Sequence, residues 1–298
     1  MRKLFIMAVA VLSGMVLELL MNPKKAERKP WELFFIGVVY SSMAIFLSLY
    51  IFKQYVGIVM VFLTTLACTY LIQGTLRREE KKDILISHEL ALLKEHGKAL
   101  SYFMFLFLGF VVSFSLWYIL MPHGFSSQVF AIQEETIRCI NSVGVEGCLS
   151  APSESFVKIF LNNAKVLFFV LVFAFFYGAG SIFILAWNAT VVATAIGLFV
   201  RNGLSSAAAS LGLPSISNYF SSYSLGLLRY LTHGGLEILA YFIAALAGGI
   251  ISVAVARHSF NSPNFRKVLW DSDLIALSVG ALFLAAIVEV FVTPVLFG

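Results

Sequence analysis

Long apolar runs alternate with short polar stretches along the whole chain, and their lengths carry the first expectation. A bilayer core of about 30 Å is crossed by a helix of about 20 residues. Counted that way, the runs predict spans at roughly 4–21, 32–52, 55–76, 100–121, 160–179, 181–200, 234–256 and 274–297. The apolar stretch from Phe156 to Val200 is too long for one crossing, and YGAGS at 177–181 supplies a turn inside it. No internal repeat emerges. The pattern predicts an all-α fold, a polytopic transmembrane helical bundle of about eight spans.

Three segments fall outside the spans. Residues 77–99 alternate charges with Ile86, Leu90 and Leu93 at helical spacing, which predicts an amphipathic helix lying at the cytoplasmic interface. Residues 122–158 read as a polar outer loop carrying Cys139 and Cys148. Residues 201–232, rich in Ser and Tyr and broken at Gly212 and Pro214, are too polar to span and too apolar for free solution. An interfacial or re-entrant segment is expected there. The domain organisation that follows is a three-helix extension over 1–76, the interfacial helix over 77–99, and a five-span membrane domain over 100–298.

Composition agrees with this reading. Of 298 residues 60% are hydrophobic and only 12% charged, more apolar surface than one soluble core hides. The net charge of +5 records topology rather than nucleic-acid binding, since no basic stripe is interleaved with aromatics. With the N-terminus outside, thirteen of the 21 basic residues fall in the cytoplasmic loops: Lys24, Lys25, Arg28 and Lys29, then Arg77, Arg78, Lys81, Lys82, Lys94 and Lys98, then Arg257, Arg266 and Lys267. Both termini are therefore expected on the extracytoplasmic side of the cell membrane. The N-terminal run imitates a secretory signal but lacks a small-residue cleavage site and is followed by NPKKAERK, so it is read as a retained span. On the outer side Cys139 and Cys148 are placed to form a disulfide, with two free thiols as the alternative. Cys68, inside a span, is read as an inert buried hydrophobe.

Polar groups within the spans need a reason, because a charge at mid-membrane costs about 2.5–3.5 kcal/mol even on the lenient insertion scale. They are Glu18, Asn162, Asn163, Asn188, His233, Glu237 and Glu289, with Thr293 nearby. Ala281, Ala285, Glu289 and Thr293 share one helix face at four-residue spacing; so do His233, Glu237, Tyr241, Ala245 and Gly249. Ala240, Ala244, Gly248, Ser252 and Ala256 form a neighbouring small ridge, and Ala189, Ala193 and Gly197 another. Small ridges allow close helix packing in lipid, so spans six to eight are expected to gather these groups into one outward-opening polar chamber with Asn188 at its floor. His233, Glu237 and Glu289 are its candidate metal ligands, with a divalent cation as the candidate cofactor. The alternatives are structural: a hydrated His233, a local His233–Glu237 pair, capping by Asn162 and Asn163, and snorkelling of Glu18.

FLNNAK, LAWNATVVATAIG, HGGLEILAYFIAALAGG and AAIVEVFVTP together resemble the stage II sporulation protein M family over about residues 84 to 298. The pattern falls on Asn162 and Asn163, Asn188 and Gly197, His233, Gly234 and Glu237, and Glu289, Phe291, Thr293 and Pro294. The resemblance implies a five-span membrane component of a complex with peptidoglycan-degrading enzymes during engulfment in spore-formers, with relatives in organisms that do not sporulate. A membrane scaffold or partner subunit is the leading expectation, its partners the bilayer, other membrane or envelope proteins, or a second copy. Ion or solute transport through the polar site is the alternative. An intramembrane metal-dependent hydrolase ranks third, since H-E-x-x-H is absent and no nucleophile is paired with a base.

Overall fold

The computed structural model describes residues 29–86, 88–138, 152–177, 180–211, 215–257, 262–270 and 273–297. Among these residues the regular structure is helical throughout. The elements are α1 (Glu32–Ile51), α2 (Val56–Leu85), α3 (Glu89–Leu120), α4 (His123–Val129), α5 (Pro152–Tyr177), α6 (Ser181–Leu211), α7 (Ile216–Arg257), α8 (Pro263–Trp270), α9 (Asp273–Ile287), a π-helical turn (Val288–Val292) and α10 (Thr293–Phe297). Seven helices are long and apolar enough to cross a membrane, and they coincide with the second to eighth predicted spans. The first span, with Glu18, lies outside the described residues, as do Cys139 and Cys148.

Several helices exceed what a bilayer requires. At 1.5 Å rise per residue, the 30 residues of α2, 32 of α3, 31 of α6 and 42 of α7 make rods of about 45 to 63 Å. The excess corrects two expectations. There is no separate interfacial helix over 77–99: α2 runs on to Leu85, Ile86 and His88 turn extended, and α3 begins at Glu89. The two helices form a charged hairpin beyond the apolar layer. Likewise 201–232 is not re-entrant. Its described residues belong to the end of α6 and the start of α7, each a continuation of a spanning helix rather than a segment that turns back into the bilayer.

The described part of the outer loop, 122–138, is helical where its polarity suggested an irregular loop. After Pro122 the chain forms α4 and a further helical stretch, 131–138, and it folds inward. Ser126, Val129, Phe130 and Gln133 are buried. Gln133 Nε2 donates to Gly57 O and to Thr190 Oγ1, both at 3.2 Å. Arg201 secures the entry: its guanidinium donates to Tyr118 O and Met121 O at 2.6 Å and to Ser126 Oγ at 2.8 Å. It thus satisfies carbonyls left open at the end of α3, where a cation also suits the helix dipole.

Helices in lipid gain no hydrophobic drive from touching each other, so close backbone approach has to supply the contact. Gly37 of α1 and Gly109 of α3 cross with backbones nearly touching: a Cβ on Gly109 would lie 2.2 Å from Phe34 O. Gly197 of α6 receives the Tyr118 ring of α3 in the same way. α7 is the central element, with 72% of its apolar window buried, against 17% for α5 and 22% for the last span. Cys68 is fully buried, as expected.

Candidate functional site

The glycines in the small-residue ridges of α7 do not close on spans six and eight as expected: Gly248 meets α5 and Gly249 meets α2, and the first of these contacts decides what meets Glu237. Gly248 brings α5 close, since a Cβ there would stand 2.7 Å from Ala174 Cβ and 3.2 Å from Leu171 O. α5 and α7 run in the same direction, so three turns before that contact Asn163 arrives opposite Glu237. Asn163 Nδ2 donates to Glu237 Oε1, and Tyr241, one turn along α7, donates its hydroxyl to Asn163 Oδ1 at 3.2 Å. The Glu289 carboxyl lies beside that of Glu237, within hydrogen-bonding reach.

Glu289 is delivered by a departure from α-helical geometry. Thr293 N–H bonds Val288 O, five residues back, and Thr293 Oγ1 reaches the same carbonyl at 3.2 Å. Pro294 follows, and it lacks the N–H that would continue the α-helical ladder and would crowd the carbonyl four residues before it. The helix widens by one residue, which re-aims Glu289, and the π turn packs against both α5 and α7. Such turns are frequent at functional sites.

The structure gathers Asn163, Glu237 and Glu289 and adds Tyr241, which the sequence had placed on the right ridge without a role. It does not gather the rest. Asn162 is exposed. Asn188 donates to Ile184 O of its own helix at 2.9 Å, so it is no floor to the chamber. The reason is the facing of α6, whose small ridge turns Gly197 toward Tyr118 of α3. Thr293 serves the π turn. His233 is helical, and its side chain is outside the described set. Among the described residues no three His, Cys, Asp or Glu side chains converge to hold a metal.

The profile of the family described as Stage II sporulation protein M matches residues 101–294. The chain belongs to this family. With its seven apolar helices it is a multi-pass membrane protein of that kind. No curated protein and no solved structure matches it significantly. The matched segment contains the whole Asn163–Glu237–Tyr241–Glu289 network, whereas α1 and α2 precede it.

In this family member a second buried polar cluster, which sequence reasoning missed, lies in the α2–α3 hairpin just before the matched segment. His96 of α3 inserts between two carboxylates of α2, Nδ1 lying 2.9 Å from Glu79 Oε2 and Nε2 2.9 Å from Asp83 Oδ1. Both can be hydrogen bonds at once only with an imidazolium or with a proton on one carboxyl. Lys82 Nζ holds the other Glu79 oxygen at 2.7 Å and reaches Glu95 Oε2 at 3.4 Å; Lys98 also pairs with Glu95. Arg257 at the end of α7 meets Glu80 Oε2 at 2.8 Å, and Lys267 of α8 donates to Ile84 O and Ile86 O, the open carbonyls at the end of α2. The signal was present: the buried stripe Cys68, Ile72, Leu76 continues at helical spacing into Glu80 and, beside it, Glu79 and Asp83. A run that looked like a solvated face was the continuation of the core.

Proposed function

We propose that this chain is a membrane scaffold subunit that presents α5 and the last span to a partner membrane or envelope protein. The observation that carries the reading is the contrast in coverage. The apolar part of α7, within Gly234–Arg257, is 72% buried, yet the apolar parts of α5 and the last span are only 17% and 22% buried. Their outward face carries Phe168, Phe169, Phe173, Phe176 and Phe283. The Asn163–Glu237–Glu289 network fastens these two thinly packed helices to α7 with polar groups that are costly at this depth. That is economical when the outer face must hold one shape for a partner. Membership of the stage II sporulation protein M family supports the same reading.

The test is purification of the full chain from its native membranes in mild detergent. A stoichiometric partner is expected with the wild type and is lost with Phe169→Ala/Phe173→Ala, while Phe46→Ala/Phe62→Ala on the opposite flank retains it. A chain that purifies alone, or a partner indifferent to both pairs, overturns the reading.

The second reading is transport or cation binding at the same network, favoured by the contact of two carboxyl groups, whose charges repel unless a proton or cation lies between them. Cation-dependent thermal stabilisation abolished by Glu289→Gln would support it over the scaffold. In both readings the termini lie outside the cell. Lys25→Cys and Ser262→Cys should accept an impermeant thiol reagent only after permeabilisation.

A further inference from the structure

We propose that the groove between the charged ends of α2 and α7 binds the headgroup of an anionic phospholipid. The proposal depends on the chain being a multi-pass membrane protein and not on the scaffold reading.

α2 and α7 touch at Leu76 and Gly249, where a Cβ on the glycine would fall 2.6 Å from Leu76 Cδ2. Beyond that contact α7 lines the gap with Ser252, Val253 and Ala256, and the space beside these short side chains opens as a cavity of about 630 Å³. The facing ridge of α2 is Gln73, Arg77 and Lys81 at four-residue spacing, and Arg257 of α7 completes the wall. Arg257 is held in place by Glu80. Arg77 and Lys81 are exposed, and among the described residues no carboxylate pairs with either. Lys82, on another face of the same turn, is by contrast tied to Glu79 and Glu95. The groove therefore gathers positive charge with little internal neutralisation, next to side chains that can donate to phosphate oxygens.

Depth selects the occupant. Arg77 and Lys81 follow directly on the apolar part of α2, so they stand where a spanning helix leaves the hydrocarbon and meets the headgroups. Basic pockets between membrane helices at this level suit anionic headgroups. A choline headgroup brings its own cation, which Arg77 and Lys81 would repel, so a net-anionic lipid of the phosphatidylglycerol or cardiolipin type is the ligand class that fits.

The experiment titrates the full chain in detergent with phosphatidylglycerol, cardiolipin, phosphatidylcholine or inorganic phosphate and reads thermal stability and, by native mass spectrometry, retained lipid. The two anionic lipids should raise the melting temperature and remain bound. Arg77→Gln/Lys81→Gln should weaken that binding by roughly thirtyfold, two cationic contacts being lost. Its melting temperature in phosphatidylcholine should match that of the wild type. Lys94→Gln/Lys98→Gln, which removes the same charge elsewhere, should bind as the wild type does. Equal binding by the Arg77/Lys81 variant, equal loss in the Lys94/Lys98 control, or an equal response to phosphatidylcholine would overturn the proposal. So would inorganic phosphate reproducing the full shift, which would assign the groove to a soluble phosphate compound.

Discussion

The molecule holds two buried polar clusters, and they are built on opposite terms. The Asn163–Glu237–Tyr241–Glu289 network lies among apolar helices and contains no cation among its described members; it relies on amide and hydroxyl donors. The Glu79–His96–Asp83 cluster lies in the charged hairpin and matches each carboxylate with a basic group at hydrogen-bonding distance. Inside the bilayer a full ion pair must offset the desolvation of both charges, whereas neutral donors cost less to bury. At the hairpin, water and headgroups are near, so charges can reach the cluster from several helices.

That difference sets the scale of what substitutions should do. The largest effect is expected for His96→Ala. It leaves Glu79 and Asp83 facing each other without the ring, and breaking one partner out of a buried ionic group typically costs about 3–5 kcal/mol. The melting temperature of the detergent-solubilised protein should fall well below that of the wild type. An unchanged value would mean that Lys82 alone suffices and that the two clusters are less different than they look.

Next comes Glu289→Leu, which removes a partner from the Glu237 carboxyl and should destabilise by about 1–3 kcal/mol. Glu289→Gln keeps a hydrogen-bonding group and should melt close to the wild type. Equal losses from both would show that charge rather than hydrogen bonding holds the inner network, which would remove the contrast. Asn163→Leu should cost between about 0.6 and about 1.7 kcal/mol, the mean and the maximum found for hydrogen bonds between membrane helices. Hydrogen exchange should show α5 loosening from α7 in that variant while the α2–α3 hairpin keeps its protection. The smallest effect is expected for Arg257→Gln. Its side chain is 42% exposed although its partner Glu80 is buried; because solvent reaches the Arg257 end and the Gln amide can still donate toward Glu80, the loss should stay below about 1 kcal/mol. A larger drop in melting temperature would place Arg257 among the groups that hold the hairpin.

The two clusters also differ in how visible they were beforehand. Glu237 and Glu289 stood out because each interrupts an apolar run, and the four-residue ridges indicated that both turn inward. Glu79, Asp83 and His96 did not stand out, because a charged group surrounded by charged groups carries no contrast in hydropathy. Asn188 stood out and was misassigned. Its polarity was legible, but the direction of its helix face was not, since the neighbour that fills Gly197 is Tyr118 from a helix almost eighty residues earlier.

By itself the sequence determined the helical class, the position of seven crossings and the family. These depend on local quantities: the length of an apolar run against the thickness of a bilayer, and motifs read in one piece. It also marked Glu237 and Glu289 as residues that turn inward, although Asn162, marked with them, is exposed. Only the tertiary structure decided which of them meet. Whether 77–99 lies flat or stands as a hairpin, whether 122–138 stays outside or folds in against Gly57 and Thr190, and which ridge faces which neighbour depend on contacts between segments far apart in the chain. The π turn is the sharpest case. Its Pro294 was plain to see, but that Thr293 bonds five residues back, and that the widened turn packs against α5 and α7 with Glu289 beside Glu237, was not.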